Sequence, residues 1–281
     1  KINNDLIQHK NIKNKLIASI LKLMKICNFR IGNDNYEKEY GSIGLTTLKS
    51  KHIQFKNDLT LISFNGKKGV LNDCTLQNIL VFVGEQTISY TIISSVKAVD
   101  TDLEQIIQHF DAHFLNENTP LPILIDYKTP DTLGKDRIAA VVGASFLFPM
   151  QDILVLDAGT CLTIDFINKK KVYKGGRISP GIRMRYKALN QFTSNLPLCE
   201  FSESSMKMGD DTNSSIISGV QKGILAEVQE IINVYKIENK DTIIAVTGGD
   251  CFFFEKELKS SIFANPFLVM EGLNEILDYN E

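Results

Sequence analysis

Asp157, Gly159 and Thr160 stand at the end of an apolar run and together have the side chains of a phosphate-binding turn. Residues 153–156 have the pattern of a buried strand, and apolar alternation resumes after Thr160, which indicates a hairpin. Gly159 lets the backbone approach an anion, Thr160 can donate a hydrogen bond to it, and Asp157 can hold a hydrated cation. An ordinary hairpin that happens to contain Asp and Gly is an equally good interpretation of this segment alone.

A second group of reactive side chains lies in a loop at residues 127–137, which is marked by Pro130 and Gly134. Asp136 and Arg137 follow where this loop enters a predicted helix. A helix N-terminus attracts anions, so its N–H groups and Arg137 could hold a substrate carboxylate, and Asp136 could accept a proton from a substrate hydroxyl. The competing interpretation is a plain helix start, in which Asp136 caps the helix and Arg137 is solvated.

Glycine pairs form turns next to two further apolar segments, at residues 174–181 and 246–250. Such pairs let a backbone pass beneath the sugar or base of a nucleotide, but they are also ordinary tight turns. Residues 208–212 precede a long predicted helix, and either Asp211 or Thr212 is expected to be its N-cap. Each of these motifs is weak evidence by itself.

The composition favours a soluble globular protein that acts on small molecules. The chain has 281 residues, 43% of them hydrophobic, and no apolar run is long enough to span a membrane. The net charge is -2 with both signs interspersed, which argues against a nucleic acid or an anionic membrane as partner. Five scattered cysteines without a C-x-x-C spacing argue against disulfides or a zinc site and favour a reducing cytoplasm.

The elements that must position these side chains come as strands followed by helices, twice along the chain. This order predicts two α/β lobes with a cleft between them. The first lobe is expected over residues 24–147, and its apolar runs predict strands at 59–64, 79–83, 88–93 and 123–125. A helix after the third run is predicted to begin with a capping box of Thr101 and Glu104, and another helix is predicted over 137–144.

The second lobe is expected over residues 148–281 and begins with the hairpin described first. Its later segments predict a helix near 184–189, a long helix with apolar positions from 216 to 231, and a strand at 242–246. Residues 1–23 are rich in Lys and Asn and are expected to be an amphipathic leader or sequence upstream of the true start.

Taken in order, the motifs resemble those of the type III pantothenate kinase family. The series is Pro-x-Thr-Leu-Gly-x-Asp-Arg, Leu-Asp-Ala-Gly-Thr-x-x-Thr-x-Asp, Gly-Gly-x-Ile-x-Pro-Gly, Gly-x-x-Thr and Thr-Gly-Gly. Supporting segments lie at 92–96, 193–197 and 269–274, so the resemblance spans roughly residues 76–277. Such an ordered series is far more specific than any of its single motifs.

The resemblance implies two ribonuclease-H-like lobes of the actin-like ATPase fold. It also implies transfer of the γ-phosphoryl group of ATP to the hydroxyl of pantothenate, the first step of coenzyme A biosynthesis. The implied cofactors besides ATP are Mg²⁺ and a monovalent cation, K⁺ or NH₄⁺. A cytoplasmic homodimer without nucleic-acid or membrane partners completes the expectation.

The resemblance also assigns roles by position in the motifs. Asp136 matches the general base, Asp157 the ligand of the monovalent cation, and Thr160 an ATP contact. Thr212 matches a substrate contact that reaches across the dimer interface. The remaining pantothenate contacts match Tyr127, Gly134, Lys135, Asp136 and Arg137, with Arg137 able to pair with the pantothenate carboxylate.

The sequence departs from the family pattern at the first phosphate-binding loop, which matches residues 28–35. Gly32 and Asn33 are kept and match ATP contacts, but Arg30 replaces a metal-binding Asp and Asp34 replaces a phosphate-binding Thr. An Arg cannot ligate Mg²⁺, and Asp34 would repel a phosphate. A catalytically impaired member that binds pantothenate or nucleotide in a regulatory role is therefore the alternative to a working kinase.

Overall fold

The computed structural model describes residues 52–56, 59–64, 67–71, 74–85, 88–95, 99–203 and 207–281. The expected leader at 1–23 and the altered phosphate loop, with Arg30, Gly32, Asn33 and Asp34, lie outside these residues. Among the helices of the described part, none combines the length and the apolar character needed to cross a membrane.

The first sheet has five strands in the order β3-β2-β1-β4-β5. The strands are β1 (His52–Lys56), β2 (Leu59–Phe64), β3 (Lys67–Leu71), β4 (Ile92–Ser94) and β5 (His113–Phe114). The first three are antiparallel neighbours, whereas β4 runs parallel to β1 and β5 runs parallel to β4. This is the order and direction of strands in a ribonuclease-H-like sheet.

Two helices, α1 (Leu76–Val83) and α2 (Thr101–Phe110), enclose a small core with the first sheet. The strand predicted at 79–83 is wrong, because these residues belong to α1. The Thr75 side chain accepts a hydrogen bond from the Asn78 N–H, and buried Ile79 and Val83 are one helical turn apart. A short apolar run does not distinguish a buried strand from a buried helix.

Two smaller predictions in this region also differ from the structure. The strand expected over 88–93 forms later, as β4 at Ile92–Ser94. The capping box of Thr101 and Glu104 is wrong, because the N-cap of α2 is Asp100, whose carboxylate accepts from the Leu103 N–H at 2.9 Å. Asp caps helices as well as Thr does, so the choice between adjacent candidates depends on the backbone of the preceding loop.

The second sheet repeats the first. Its six strands lie in the order β11-β10-β7-β8-β9-β6. They are β6 (Leu124–Ile125), β7 (Ile153–Ala158), β8 (Cys161–Ile167), β9 (Val172–Pro180), β10 (Ile243–Thr247) and β11 (Phe263–Ala264). Strands β7, β8 and β9 are antiparallel, β10 is parallel to β7, β11 is parallel to β10, and β6 adds a parallel edge to β9. The predicted pair of ribonuclease-H-like sheets is therefore confirmed.

Helices cover both faces of the second sheet. The helices are α3 (Lys135–Leu147), α4 (Ile182–Gln191), α5 (Thr212–Glu238), α6 (Cys251–Glu257) and α7 (Leu268–Asn280). Alternate residues of β7 point to opposite faces, so Ile153 and Val155 pack with α3 and α7, whereas Leu154 and Leu156 pack with α4, α5 and α6. The helices and the strand predicted here are all present. The ends of α3, α4 and β10 lie within one to three residues of the predicted ones, whereas α5 begins four residues before and ends seven residues after the predicted apolar positions.

Helices α3 and α7 cross in backbone contact at two glycines. A Cβ added to Gly143 would lie 2.4 Å from the Leu268 carbonyl oxygen, and one added to Gly272 would lie 1.7 Å from the Ala139 carbonyl oxygen. Any side chain at either position would force the two helices apart. This crossing ties α3 to a helix late in the sequence, and β6 likewise joins the second sheet from before residue 147. The lobe boundary expected at 147/148 stays a prediction.

Candidate active site

The turn between β7 and β8 is the hairpin expected from the sequence. Asp157 and Thr160 lie at its two sides, and the Gly159 N–H donates to the Cys161 carbonyl at 3.0 Å to close the turn. Asp157 is 4% exposed, whereas the Thr160 side chain reaches solvent. A buried carboxylate at a strand end beside an exposed hydroxyl is a suitable arrangement for a cation next to a phosphate.

Glycines from two other segments converge on this turn. The Gly181 N–H donates to the Thr160 carbonyl at 3.0 Å, and a Cβ at Gly181 would lie 2.1 Å from the Gly159 carbonyl oxygen. Gly248 has φ +88°, and its added Cβ would lie 2.5 Å from the Asp157 Oδ1. The expected glycine turn at 246–250 is confirmed, and both glycines pack directly against the backbone of the hairpin, an approach that a residue with a side chain could not make.

The other expected glycine turn, at 174–181, is wrong over its first part. Gly175 and Gly176 lie inside β9 rather than in a turn. The register of β8 against β9 shifts between Asp165 and Ile167, and Gly175 takes φ +101° there. The glycine pair therefore accommodates a β-bulge, which is a second common use of glycine in a strand.

A row of polar side chains crosses the three central strands of the second sheet near the β7–β8 turn. Asp157 on β7 is paired with Thr163 on β8 and with Thr247 on β10, so the three side chains share one face. The hydroxyls of Thr163 and Thr247 are buried and have no hydrogen-bond partner within the described residues. These two hydroxyls can therefore still hydrogen-bond to a polar group that is not among the described residues.

Asp136 lies inside the first turn of α3 and is not the residue that caps the helix. Gly134 is the N-cap and Lys135 the first helical residue, so the interpretation of Asp136 as the cap is wrong. The Asp136 Oδ1 accepts a hydrogen bond from the Arg137 N–H at 2.8 Å. Asp136 is half-buried, and its carboxylate remains in the first turn of the helix, where the helix dipole favours negative charge.

Arg137 enters the interior and is not solvated, contrary to the simpler interpretation of the sequence. Its Nε donates to the two carboxylate oxygens of Asp165 at 3.0 and 3.2 Å, and its Nη2 donates to Asp165 Oδ1 at 2.6 Å. Nη2 also donates to the Tyr173 hydroxyl at 3.0 Å, which in turn donates to Asp165 Oδ1 at 2.7 Å. Arg137 is 6% exposed and Asp165 is 1% exposed.

The Asp165 carboxylate favours the protonated forms of Arg137 and Tyr173. Burial lowers the pKa of Arg137, but the hydrogen bond and the negative charge of Asp165 outweigh it, so the pKa lies above its ordinary value. Burial and the charge of Asp165 both raise the pKa of the Tyr173 hydroxyl. The guanidinium therefore stays charged and the phenol stays protonated, so each hydrogen bond keeps its donor.

Tyr127 and Thr212 lie on different sides of the second sheet. The Tyr127 ring packs edge-on against the Tyr173 ring, with centroids 5.9 Å apart, on the face that carries α3. Thr212 is the exposed first residue of α5, next to the N-cap Asp211, and lines a groove of about 600 Å³ with residues of α4 and α5. The structure thus brings Tyr127, but not Thr212, to the side of Arg137 within one chain.

Four residues of the site carried no role in the sequence interpretation: Thr163, Asp165, Tyr173 and Thr247. Asp165 offered a signal, because a charged residue inside a buried alternating strand requires a partner. The partner itself could not be read from spacing, since Arg137 lies 28 residues earlier.

Gly248→Ala is expected to lower the free energy of unfolding by about 1 to 3 kcal/mol and to reduce activity, because φ is positive and the new methyl group meets Asp157. Urea denaturation measures the stability. Gly249→Ala is the matched control, since a Cβ there meets nothing within 4 Å. Equal effects of the two substitutions would contradict the close approach of Gly248 to the hairpin.

Comparison with known proteins agrees with this arrangement. The model of the family described as type III pantothenate kinase matches residues 48–234. A Bacteroides fragilis protein named type III pantothenate kinase is 50% identical over 167 residues, which are 59% of this chain and 69% of that protein. A Cytophaga hutchinsonii protein of the same name is 46% identical over 205 residues, 73% of this chain and 87% of that protein.

A solved structure also shares the fold. It is named as a Baf family transcriptional activator from Campylobacter jejuni and superposes with a TM-score of 0.55 at 22% identity, covering 82% of this chain and 98% of that one. At this identity the likeness concerns the fold alone. The family match covers well over half of the chain and includes α3, the β7–β8 hairpin and Thr212. The chain therefore belongs to the type III pantothenate kinase family.

Proposed function

We propose that this protein phosphorylates pantothenate with ATP to give 4'-phosphopantothenate, the first step of coenzyme A biosynthesis. The observation that carries the proposal is the anchoring of α3 beside the polar row. Arg137 binds Asp165, and Asp165 is two residues from Thr163, the strand partner of Asp157, on the same face of β8. The helix start that bears Asp136 is thereby held next to the candidate cation and phosphate turn.

Asp136 acts in this proposal as the general base. The pantothenate hydroxyl oxygen forms a bond to the γ-phosphorus, its proton passes to the Asp136 carboxylate, and the bond from phosphorus to the bridging oxygen breaks to release ADP. In such transfers the protein mainly positions the reactants and stabilises charge on the oxygens. A half-buried carboxylate in the first turn of a helix fixed by packing is suited to that task.

The proposed pantothenate contacts are Tyr127, the loop from Gly134 to Arg137, and Thr212. The first two lie on the α3 face of the second sheet, whereas Thr212 lies at the start of α5 on the α4–α5 side. A single substrate therefore contacts both groups most simply if Thr212 comes from a second copy of the chain. A homodimer is part of the proposal on this ground, and a cytoplasmic location is proposed from membership in a family of metabolic kinases.

Asp157, Thr163 and Thr247 would hold the monovalent cation, K⁺ or NH₄⁺. Within the described residues no group of three or more His, Cys, Asp or Glu side chains could bind a metal, so one carboxylate with neutral oxygens is the available donor set. Such a set matches the single charge of the ion, and the two unsatisfied hydroxyls fit it. The bound cation supplies positive charge beside the phosphate oxygens of ATP.

ATP itself is proposed to contact Thr160, which is exposed at the hairpin. Gly32 and Asn33 are the other proposed ATP contacts. Mg²⁺ is expected to enter with the ATP phosphates, because Mg²⁺ in kinases is held largely by substrate oxygens and water.

An assay that couples ADP release to NADH oxidation tests this function. With ATP, Mg²⁺ and K⁺ present, ADP release is expected to depend on pantothenate and to fall when K⁺ is replaced by a bulky organic cation. Absence of pantothenate-dependent turnover at high ATP would contradict the proposal. If the double substitution Arg30→Asp with Asp34→Thr then produced turnover, the impaired alternative would hold.

A further inference from the structure

We propose that Asp165 and Tyr173 are positioning residues for phosphoryl transfer: they hold the Arg137 guanidinium and thereby set the place of Asp136. The inference rests on the proposed kinase function and deepens it. It gives Arg137 a role in addition to its proposed contact with pantothenate, and it adds two residues to the machinery of the reaction.

The hydrogen bonds commit most of the Arg137 guanidinium to the protein. Nε and Nη2 are bound by Asp165 and Tyr173 at 2.6 to 3.2 Å, with Asp165 almost wholly buried. Two of the three guanidinium nitrogens are therefore hydrogen-bonded inside the protein, against the second sheet. A carboxylate of the substrate could not form the two parallel hydrogen bonds that make Arg a strong carboxylate ligand without displacing Asp165.

Arg137 is also linked directly to the candidate base. It follows Asp136 in the chain, and its backbone N–H donates to the Asp136 Oδ1 at 2.8 Å. A shift of Arg137 would move both the backbone next to Asp136 and the hydrogen bond that orients its carboxylate. Displacements of about 1 Å at a reacting group can cost about 100-fold in rate.

The surroundings pack closely around this network. Tyr173 is fully buried, and a Cβ at Gly176 would lie 2.4 Å from Asp165 Oδ1 and 2.9 Å from Arg137 Nη2. The ion pair fits only because residue 176 has no side chain. At its other end, α3 is fixed by the crossing with α7, so the helix is anchored at two separate points.

A merely stabilising ion pair is the competing explanation. Buried ion pairs are poor devices for stability, because removing two charges from water costs about as much as their attraction returns. They are useful for fixing one geometry. The two explanations differ in what the loss of the pair does to catalysis at unchanged substrate binding.

The test compares Asp165→Asn and Tyr173→Phe with the wild-type protein in kcat, and in Kd for pantothenate by calorimetry. We expect kcat to fall by about 10- to 100-fold for Asp165→Asn and by about threefold to tenfold for Tyr173→Phe, with Kd changed by less than about threefold. Glu257→Gln is the control, since it breaks an ion pair with Lys222 on the opposite face of the sheet. It should leave kcat unchanged.

Two results would overturn the proposal. A raised Kd with unchanged kcat would mean that the network serves substrate binding and does not position Asp136, and an unchanged kcat in both variants would make the network purely structural. If Asp165→Asn shows no cooperative urea transition, Tyr173→Phe decides, because it keeps the ion pair. Absence of pantothenate-dependent turnover in the wild type is a separate outcome, which removes the kinase proposal and this inference with it.

Discussion

Asp136→Asn is expected to lower kcat by about 10²- to 10⁴-fold while pantothenate still binds. The amide has the size of the carboxylate and keeps an oxygen that can accept the Arg137 N–H, so the start of α3 should retain its geometry. The amide cannot accept the proton of the substrate hydroxyl. The loss therefore concerns the transition state and should appear in kcat rather than in the calorimetric Kd for pantothenate.

Asp131→Asn is the matched control for this substitution. Asp131 lies in the short 3-10 turn Pro130–Thr132 of the same loop and is exposed, so its replacement removes an equal charge without touching α3. It should leave kcat within about twofold, as expected for a surface charge. A comparable loss in both variants would point to the charge of the loop, and full activity of Asp136→Asn would exclude Asp136 as the base.

Arg137→Met is expected to lower the free energy of unfolding by about 3 to 5 kcal/mol and to abolish most activity. The substitution leaves the Asp165 carboxylate buried at 1% exposure without its cation. Replacing both partners, Arg137→Met with Asp165→Leu, should recover much of the stability, because no buried charge remains. Activity should stay low in the double variant, since the start of α3 has lost its anchor while the crossing with α7 remains. Urea denaturation with comparison of the m-values measures these changes.

Arg183→Met is the matched comparison for Arg137→Met, because it removes an exposed ion pair near the β7–β8 hairpin. Arg183 faces Asp250 at 3.5 Å, but its side chain is 73% exposed, so solvent screens the pair. Its loss should cost less than about 1 kcal/mol. A similarly small cost for Arg137→Met, or full activity of the stable double variant, would contradict the anchoring role.

The local elements were predictable where hydrophobic periodicity or a turn carried the information. The β7–β8 hairpin follows from residues 153–165, and α5 follows from its apolar positions and the Asp211 cap. The strand predicted at 79–83 was wrong because a buried helix and a buried strand have the same apolar sequence pattern at that length. The turn predicted at Gly175 and Gly176 was wrong because a β-bulge and a turn both use the backbone freedom of glycine.

The site was predictable as a set of motifs but not as an arrangement. The motifs placed Asp136, Asp157 and Thr160 in three roles, and these roles stay predictions that the geometry supports. Which side chains meet depends on strand register: Asp157 has Thr163 and Thr247 as neighbours because β8 and β10 flank β7. The sequence interpretation assigned Arg137 to solvent or to substrate. Its acceptor, Asp165, lies 28 residues later on a strand, and nothing in the local sequence shows that the two side chains meet.

The glycine crossing of α3 and α7 has a consequence for how the protein acquires activity during synthesis. Helix α3, with Asp136 at its start, emerges from the ribosome well before α7, whose Gly272 meets the Ala139 carbonyl. Contacts between such distant segments form late, since a long loop must close first. A nascent chain that ends before Leu268 already contains every proposed catalytic residue, yet its α3 has an uncovered face. We therefore expect competence for the reaction to require the last described helix in addition to the residues that perform the chemistry.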